Sequence, residues 1–207
     1  MHPCSPPLCA GALLVALAAV IAPLPAQSPV RRTPEQIKAS YDAHQSDFDY
    51  LLGDWEFTAL SREYGEGRGF WSAVRLADGA QILDEYRVVG DSGRTLYVTN
   101  TLRSYNAVLD QWDLVSTEGG TGLQNVGTGR KVGAEMHIEQ TFGAMTVKAS
   151  RWRIRYYDIL PDHFSWTADR STDGGSTWVT NYLQIEARRI GPARSLGPLA
   201  TGKPEDR

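Results

Sequence analysis

Cysteine is almost missing from this 207-residue chain, and its two copies, Cys4 and Cys9, both sit at the very start. Beyond residue 9 no thiol is present to form a disulfide, attack a substrate or hold a metal, so the fold must rest on its core. An excess of one charge is also lacking. The net charge is −3, which implies no strongly basic surface and disfavours nucleic acid as a main partner. Familiar catalytic signatures are absent too: there is no Gly-x-Ser-x-Gly and no His-Glu-x-x-His. Gly119-Gly120-Thr121-Gly122 is not followed by a helix that could cradle phosphate.

Only one long apolar run occurs, residues 9–22. It is shorter than the roughly 20 residues a membrane-spanning helix needs, and Pro23 and Pro25 follow directly. Ending in Leu24-Pro25-Ala26, it reads as a secretory signal peptide over 1–26, cleaved after Ala26. The expected product is secreted or periplasmic, cysteine-free and without a membrane span.

Aromatic residues are plentiful, with six Trp, nine Tyr and five Phe beside 20 Gly. Residues 27–45 read as a linker and a short helix. Thr33-Pro34-Glu35-Gln36 combines an N-cap hydroxyl, a first-turn proline and a capping-box glutamine. From Phe48 to Arg189 the pattern becomes short β-branched and aromatic runs separated by turn residues. The runs fall near 54–60, 69–77, 80–89, 94–104, 111–117, 123–131, 134–141, 150–159, 163–170 and 177–189. The clearest turns are Asp78-Gly79, Asp91-Ser92-Gly93, Pro161-Asp162 and Asp173-Gly174-Gly175. About ten sequential antiparallel strands with hairpin links predict an all-β, up-and-down barrel over 46–189, because closure removes exposed edges. A disordered tail is expected over 190–207.

Alternation assigns the faces. Glu135, His137 and Glu139 share one side of a strand, and Arg151, Arg153 and Arg155 share one side of the next. A hairpin centred near Met145 would pair Glu139 with Arg151, His137 with Arg153 and Glu135 with Arg155 on a solvated face. That face is preferred over a metal site at Glu135, His137 and Glu139, so no metal is assigned. Met136, Ile138, Trp152, Ile154 and Tyr156 then point inward, with Trp166 beside Tyr156 and Tyr182 beside Trp166. This register sends Val179, Leu183 and Ile185 outward, and a single bulge in the last hairpin would exchange the faces. Asp84 and Glu85 are adjacent and face opposite sides of their strand, so they form no catalytic pair.

Two motifs carry a resemblance. Leu51-Leu52-Gly53-Asp54-Trp55 opens the first strand and Arg188-Arg189 closes the last, a pattern that resembles the calycin (lipocalin) signature. The resemblance implies that Trp55 plugs one barrel end and that Arg188 packs across it, with Arg189 as the substitute if the register slips. Ser171-x-Asp173-Gly174-Gly175-x-Thr177-Trp178 resembles an Asp-box, known from sialidases and other β-propellers. There the Asp caps the amides of a hairpin and the Trp packs beneath. It occurs once, without the repeats a propeller needs, so Asp173 and Trp178 are read as structural. Together with Tyr105 and Trp112 in the central strands, these features resemble a bacterial family of exported lipocalin-like proteins, a domain of unknown function.

That resemblance implies a lipocalin-like barrel and little about activity. Haem-binding nitrobindin-like barrels share the architecture, but His44, His137 and His163 sit at a helix end, on the charged face and after a turn. Glu56-Phe57-Thr58 also departs from the nitrobindin opening. No cofactor is therefore assigned. The preferred reading is a binding module for a small apolar or amphipathic molecule, lined by Tyr97, Trp112, Trp152, Tyr156, Trp166 and Tyr182. A second reading is a cavity enzyme of isomerase, cyclase or hydrolase type, with no catalytic residue assigned. The third is a filled structural barrel, in which an apolar outer face on the last strand would join two copies as a homodimer.

Overall fold

The computed structural model describes residues 32–76 and 79–195. The expected signal peptide, its cleavage site, Asp78 and the tail beyond 195 lie outside those residues. Helix α1 (Pro34–His44) starts at the expected capping box: the Thr33 hydroxyl accepts from the Gln36 amide, and the Gln36 side chain accepts from the Thr33 amide. Among the described residues no helix is long and apolar enough to cross a membrane.

Ten long strands follow: β1 (Gly53–Ser61), β2 (Gly65–Arg75), β3 (Gln81–Val89), β4 (Thr95–Asn106), β5 (Gln111–Glu118), β6 (Gly122–Val132), β7 (Glu135–Phe142), β8 (Ser150–Tyr157), β9 (His163–Ser171) and β10 (Val179–Gly191). Each pairs antiparallel with the next and β10 pairs with β1, which gives a closed up-and-down barrel. A short β11 (Arg194–Ser195) lies parallel to β2 at Val74 and Arg75, where β2 runs past the start of β1. Ordered chain therefore continues beyond the expected boundary at 189.

One end of the barrel is plugged. Between α1 and β1 the chain makes a 3-10 turn at Asp49–Leu51 and inserts Phe48, Leu51 and Leu52, all buried. Phe48 meets Trp112 edge-on with ring centroids 4.9 Å apart, and Trp55 packs on Phe164 at 4.8 Å. Aromatic pairs in such geometries add about 0.5–1.5 kcal/mol beyond the area they bury. Trp55 Nε1 donates to the Leu51 carbonyl, which ties the plug to the first strand.

The cation over Trp55 is Arg189 and not Arg188. The Arg189 guanidinium carbon lies 4.1 Å from the indole centroid, whereas Arg188 points outward to Glu56. The cause is at the other end of β10, where Asn181 adopts φ 49° and the register shifts between Val179 and Leu183. Asn tolerates this left-handed conformation better than most residues. The bulge turns Leu183, Ile185, Ala187 and Arg189 inward. It also places Ile185, and not Tyr182, opposite Trp166.

The β7–β8 faces are as expected but their register is two residues longer, because the connection spans 143–149. Glu139 lies opposite Arg153, His137 opposite Arg155 and Thr141 opposite Arg151. The arginines still meet the carboxylates: Arg151 and Arg153 lie 3.6 and 3.8 Å from Glu139, and Arg155 lies 3.6 Å from Glu135. The β9–β10 hairpin is organised by Asp173, which accepts from the Thr177 amide and from the Ser171 and Thr177 hydroxyls. Those bonds, that of the Thr177 hydroxyl foremost, hold its carboxyl well below the ordinary carboxylate range. Trp178 donates to the Gly175 carbonyl and receives the Arg153 guanidinium on its ring at 4.0 Å.

Candidate functional site: the open half of the barrel

Opposite the plug, the inward side chains leave a cavity of about 130 Å³. Its walls differ in chemistry. In a closed barrel of ten sequential strands, β4 to β6 stand across from β9, β10 and β1. The first side presents Thr99, Thr101, Arg103, Ser116 and Asn125 together with Tyr97 and Leu114, while across from it β9 and β10 present Trp166, Leu183 and Ile185, with Trp152 and Ile154 on the adjoining β8. Tyr97, Gln140, Phe142, Trp152 and Leu183 point inward and yet are partly exposed, so they mark the mouth.

Two glycines on β6, Gly127 and Gly129, face inward. A Cβ on Gly127 would stand 2.6 Å from the Gln140 Cβ, and one on Gly129 would stand 3.2 Å from Ile138. Bare backbone at these positions lets β7 side chains pack close to β6. On β2, Gly69 performs the same service for Phe57, whose ring stacks on Tyr86 at 4.8 Å and 8°.

At the cavity floor lies a buried ion pair. Arg103 Nε donates to Asp84 Oδ2 at 2.6 Å, and Trp71 Nε1 donates to Asp84 Oδ1 at 2.8 Å. The two charged side chains are only 3% and 1% exposed. Arg103 Nη2 donates to the Tyr156 hydroxyl at 3.3 Å, and the guanidinium carbon stands 4.8 Å from the Phe48 ring centroid. Burial works against the Arg103 charge, but the Asp84 carboxylate outweighs it and holds the guanidinium protonated. Burial likewise pushes the Tyr156 phenol up to about 12, so it stays neutral and able to donate. Two atoms of the polar wall, Arg103 Nη1 and Asn125 Oδ1, are buried and have no hydrogen-bond partner among the described residues.

The six aromatics expected to line the interior separate into two groups. Tyr97, Trp152, Tyr156 and Trp166 line the cavity. Trp112 is fully buried in the plug against Phe48 and Tyr105. Tyr182 packs on Trp152 at 5.3 Å near the rim, where Glu63 and Arg170 hydrogen-bond its hydroxyl. The histidines among the described residues lie elsewhere: His44 pairs with Asp47, His137 with Glu135, and His163 approaches Glu186.

Asp84 and Arg103 were missed as a pair. Their signal was present in the alternation, since Ile82-x-Asp84-x-Tyr86 and Thr99-x-Thr101-x-Arg103-x-Tyr105 each place a charge on an inward face. Opposite charges on the inner faces of two adjacent strands are expected to meet.

No family model and no curated protein sequence matches the chain. Among solved structures it is similar to the S-type phycobiliprotein lyase CPES from Guillardia theta, at 12% identity and TM-score 0.48 over 69% of this chain and 90% of that one. It is also similar to EF1p2_mFAP2b bound to DFHBI, at 13% identity and TM-score 0.37 over 70% of this chain and 98% of that one.

Proposed function

We propose that this protein is an exported, lipocalin-like binding barrel that holds a small apolar or amphipathic molecule in its open half. The observation that carries the reading is the two-faced cavity of about 130 Å³, aromatic and aliphatic on one side and hydrogen-bonding on the other. Concave sites with apolar walls and a few placed polar groups are the usual form of small-molecule sites. Tyr97, Trp152, Tyr156 and Trp166 are the aromatics proposed to touch the ligand, while Trp112 and Tyr182 pack the two ends. Binding is favoured over turnover by the state of Asp84. Both of its oxygens already accept strong hydrogen bonds, so it serves as a fixed counter-ion and not as a base. Export is proposed from the apolar run 9–22 and the Leu24-Pro25-Ala26 site.

Native mass spectrometry of the protein recovered from its own host tests this reading. A mass excess that disappears on denaturation supports it, and the bare mass would place the first residue at Gln27 if Ala26 is the cleavage site. A bare mass together with no thermal shift from a panel of lipids and aromatics would overturn it in favour of a filled barrel.

A further inference from the structure

We infer that the cavity selects a neutral, single-ring aromatic carrying a hydrogen-bond acceptor and a separate donor, such as a hydroxyaryl ketone, over a carboxylate. This inference rests on the binding-barrel reading and names the ligand class for that site.

Size limits the ligand first. An engineered apolar cavity of about 150 Å³ accepts benzene. The enclosed space, at about 130 Å³, is therefore matched to one ring with short substituents, and a longer ligand would extend out through the mouth.

Charge limits it next. Among the described residues Arg103 is the only cation lining the cavity, and its charge is already balanced by Asp84 at 2.6 Å. A ligand carboxylate would place a second anion beside one buried guanidinium and leave the floor with a net negative charge. Burying an uncompensated charge is strongly unfavourable. A neutral acceptor needs no such compensation, and Arg103 Nη1 is a donor without a partner.

The polar wall then asks for a donor. Asn125 on β6 is 7% exposed, lies opposite Phe142 of β7, and keeps an Oδ1 without a partner among the described residues. Its neighbours on the same level are committed elsewhere. The Thr101 and Ser116 hydroxyls bond to each other at 3.0 Å, and the Thr99 hydroxyl donates to the Thr117 carbonyl. Arg103 and Asn125 lie two strands apart and on successive levels of side chains, so the two polar groups of the ligand must lie apart on the ring. Trp166 across the barrel on β9 and Trp152 on β8 offer the ring its apolar contact.

Titration calorimetry of the full chain at pH 6 with four probes tests this: 4-hydroxyacetophenone, 4-methylacetophenone, 4-ethyltoluene and 4-hydroxybenzoate. The expected order is the hydroxyketone tightest, each lost polar group weakening binding about tenfold, and the carboxylate weaker than the hydroxyketone by tenfold or more. Asn125→Leu should erase the preference for the hydroxyketone over the methylketone and leave 4-ethyltoluene unaffected. If that variant does not fold, the wild-type order decides alone. Equal binding of 4-ethyltoluene, or tighter binding of 4-hydroxybenzoate, would overturn the assigned ligand class while leaving the cavity as a binding site. Binding of none of the four would overturn the assigned ligand class, and the native mass and thermal-shift panel then decide the binding-barrel reading separately.

Discussion

Arg189 lies over Trp55 and at the same time ties two separate chain segments to the barrel end. Its nitrogens donate to the carbonyls of Tyr50, Leu52 and Pro161 while its guanidinium carbon stands 4.1 Å from the indole centroid. The two loops that close this end are thus held by one side chain. Its neighbour Arg188 makes only an exposed contact with Glu56.

Adjacent arginines should therefore differ sharply in their effect on stability. Arg189→Ala removes three charge-assisted hydrogen bonds and the indole contact, and an expected cost is about 2–4 kcal/mol. Arg188→Ala breaks a solvent-exposed ion pair and should cost under about 1 kcal/mol. Urea denaturation of both variants measures the difference, and equal effects would contradict the assignment of Arg189 to the barrel base.

Removing one member of the floor pair leaves the other charged and buried. Asp84→Leu alone is expected to cost about 3–5 kcal/mol. The double variant Asp84→Leu/Arg103→Met should recover most of that loss, because no uncompensated charge remains. A double-mutant cycle by chemical denaturation reads the coupling; additive single effects would show that the pair is not electrostatically linked.

Gly69 and Gly67 share the inner face of β2 and should respond oppositely to a methyl group. A Cβ at Gly69 would lie 1.9 Å from the Arg87 carbonyl oxygen and 2.5 Å from Phe57, whereas at Gly67 the nearest atom is the Ala59 Cβ at 3.9 Å. Gly69→Ala should destabilise by about 1–3 kcal/mol or more, because the Arg87 backbone on β3 must shift away as well as the Phe57 ring. Gly67→Ala should be close to neutral in a thermal melt.

Acid should loosen the contact between α1 and the β4–β5 turn. Asp110 accepts from the Ser40 hydroxyl at 2.6 Å, from Tyr105 at 2.9 Å, and lies 3.0 Å from Arg32. The Ser40 hydrogen bond first, and Arg32 after it, lower its carboxyl from 3.8 to about 2. A depressed carboxylate stabilises the fold above its unfolded value, and that contribution is lost as pH falls from about 4 through about 2. The side chain is half exposed, so solvent screening limits the effect to under about 1 kcal/mol. Asp110→Asn keeps a residue tolerant of the observed φ of 57° and should flatten the stability profile over that pH range.

Much of the barrel was legible in the chain because strand alternation has a period of two and is set by local sequence. The ten strands, the capping box at Thr33 and the inner face of β8 all follow from patterns within a few residues, whereas the place of Trp55 at the barrel end was implied by the lipocalin resemblance. The inward positions of Leu183 and Ile185 were less accessible. They depend on one residue, Asn181, entering the left-handed region, and a single shift reverses every side chain after it. The same shift decides between Arg188 and Arg189.

The sequence by itself determined that the chain closes into an antiparallel barrel, since ten amphipathic strands joined by tight turns have few other ways to bury one face. Tertiary structure alone decided what the interior is. The meeting of Asp84 with Arg103 joins residues 19 positions apart, and the unpartnered atoms on Arg103 and Asn125 arise only once closure has removed water from around them. Whether a polar side chain is solvated or buried without a partner is a property of the closed barrel, because it depends on the strands standing opposite and not on neighbours along the chain.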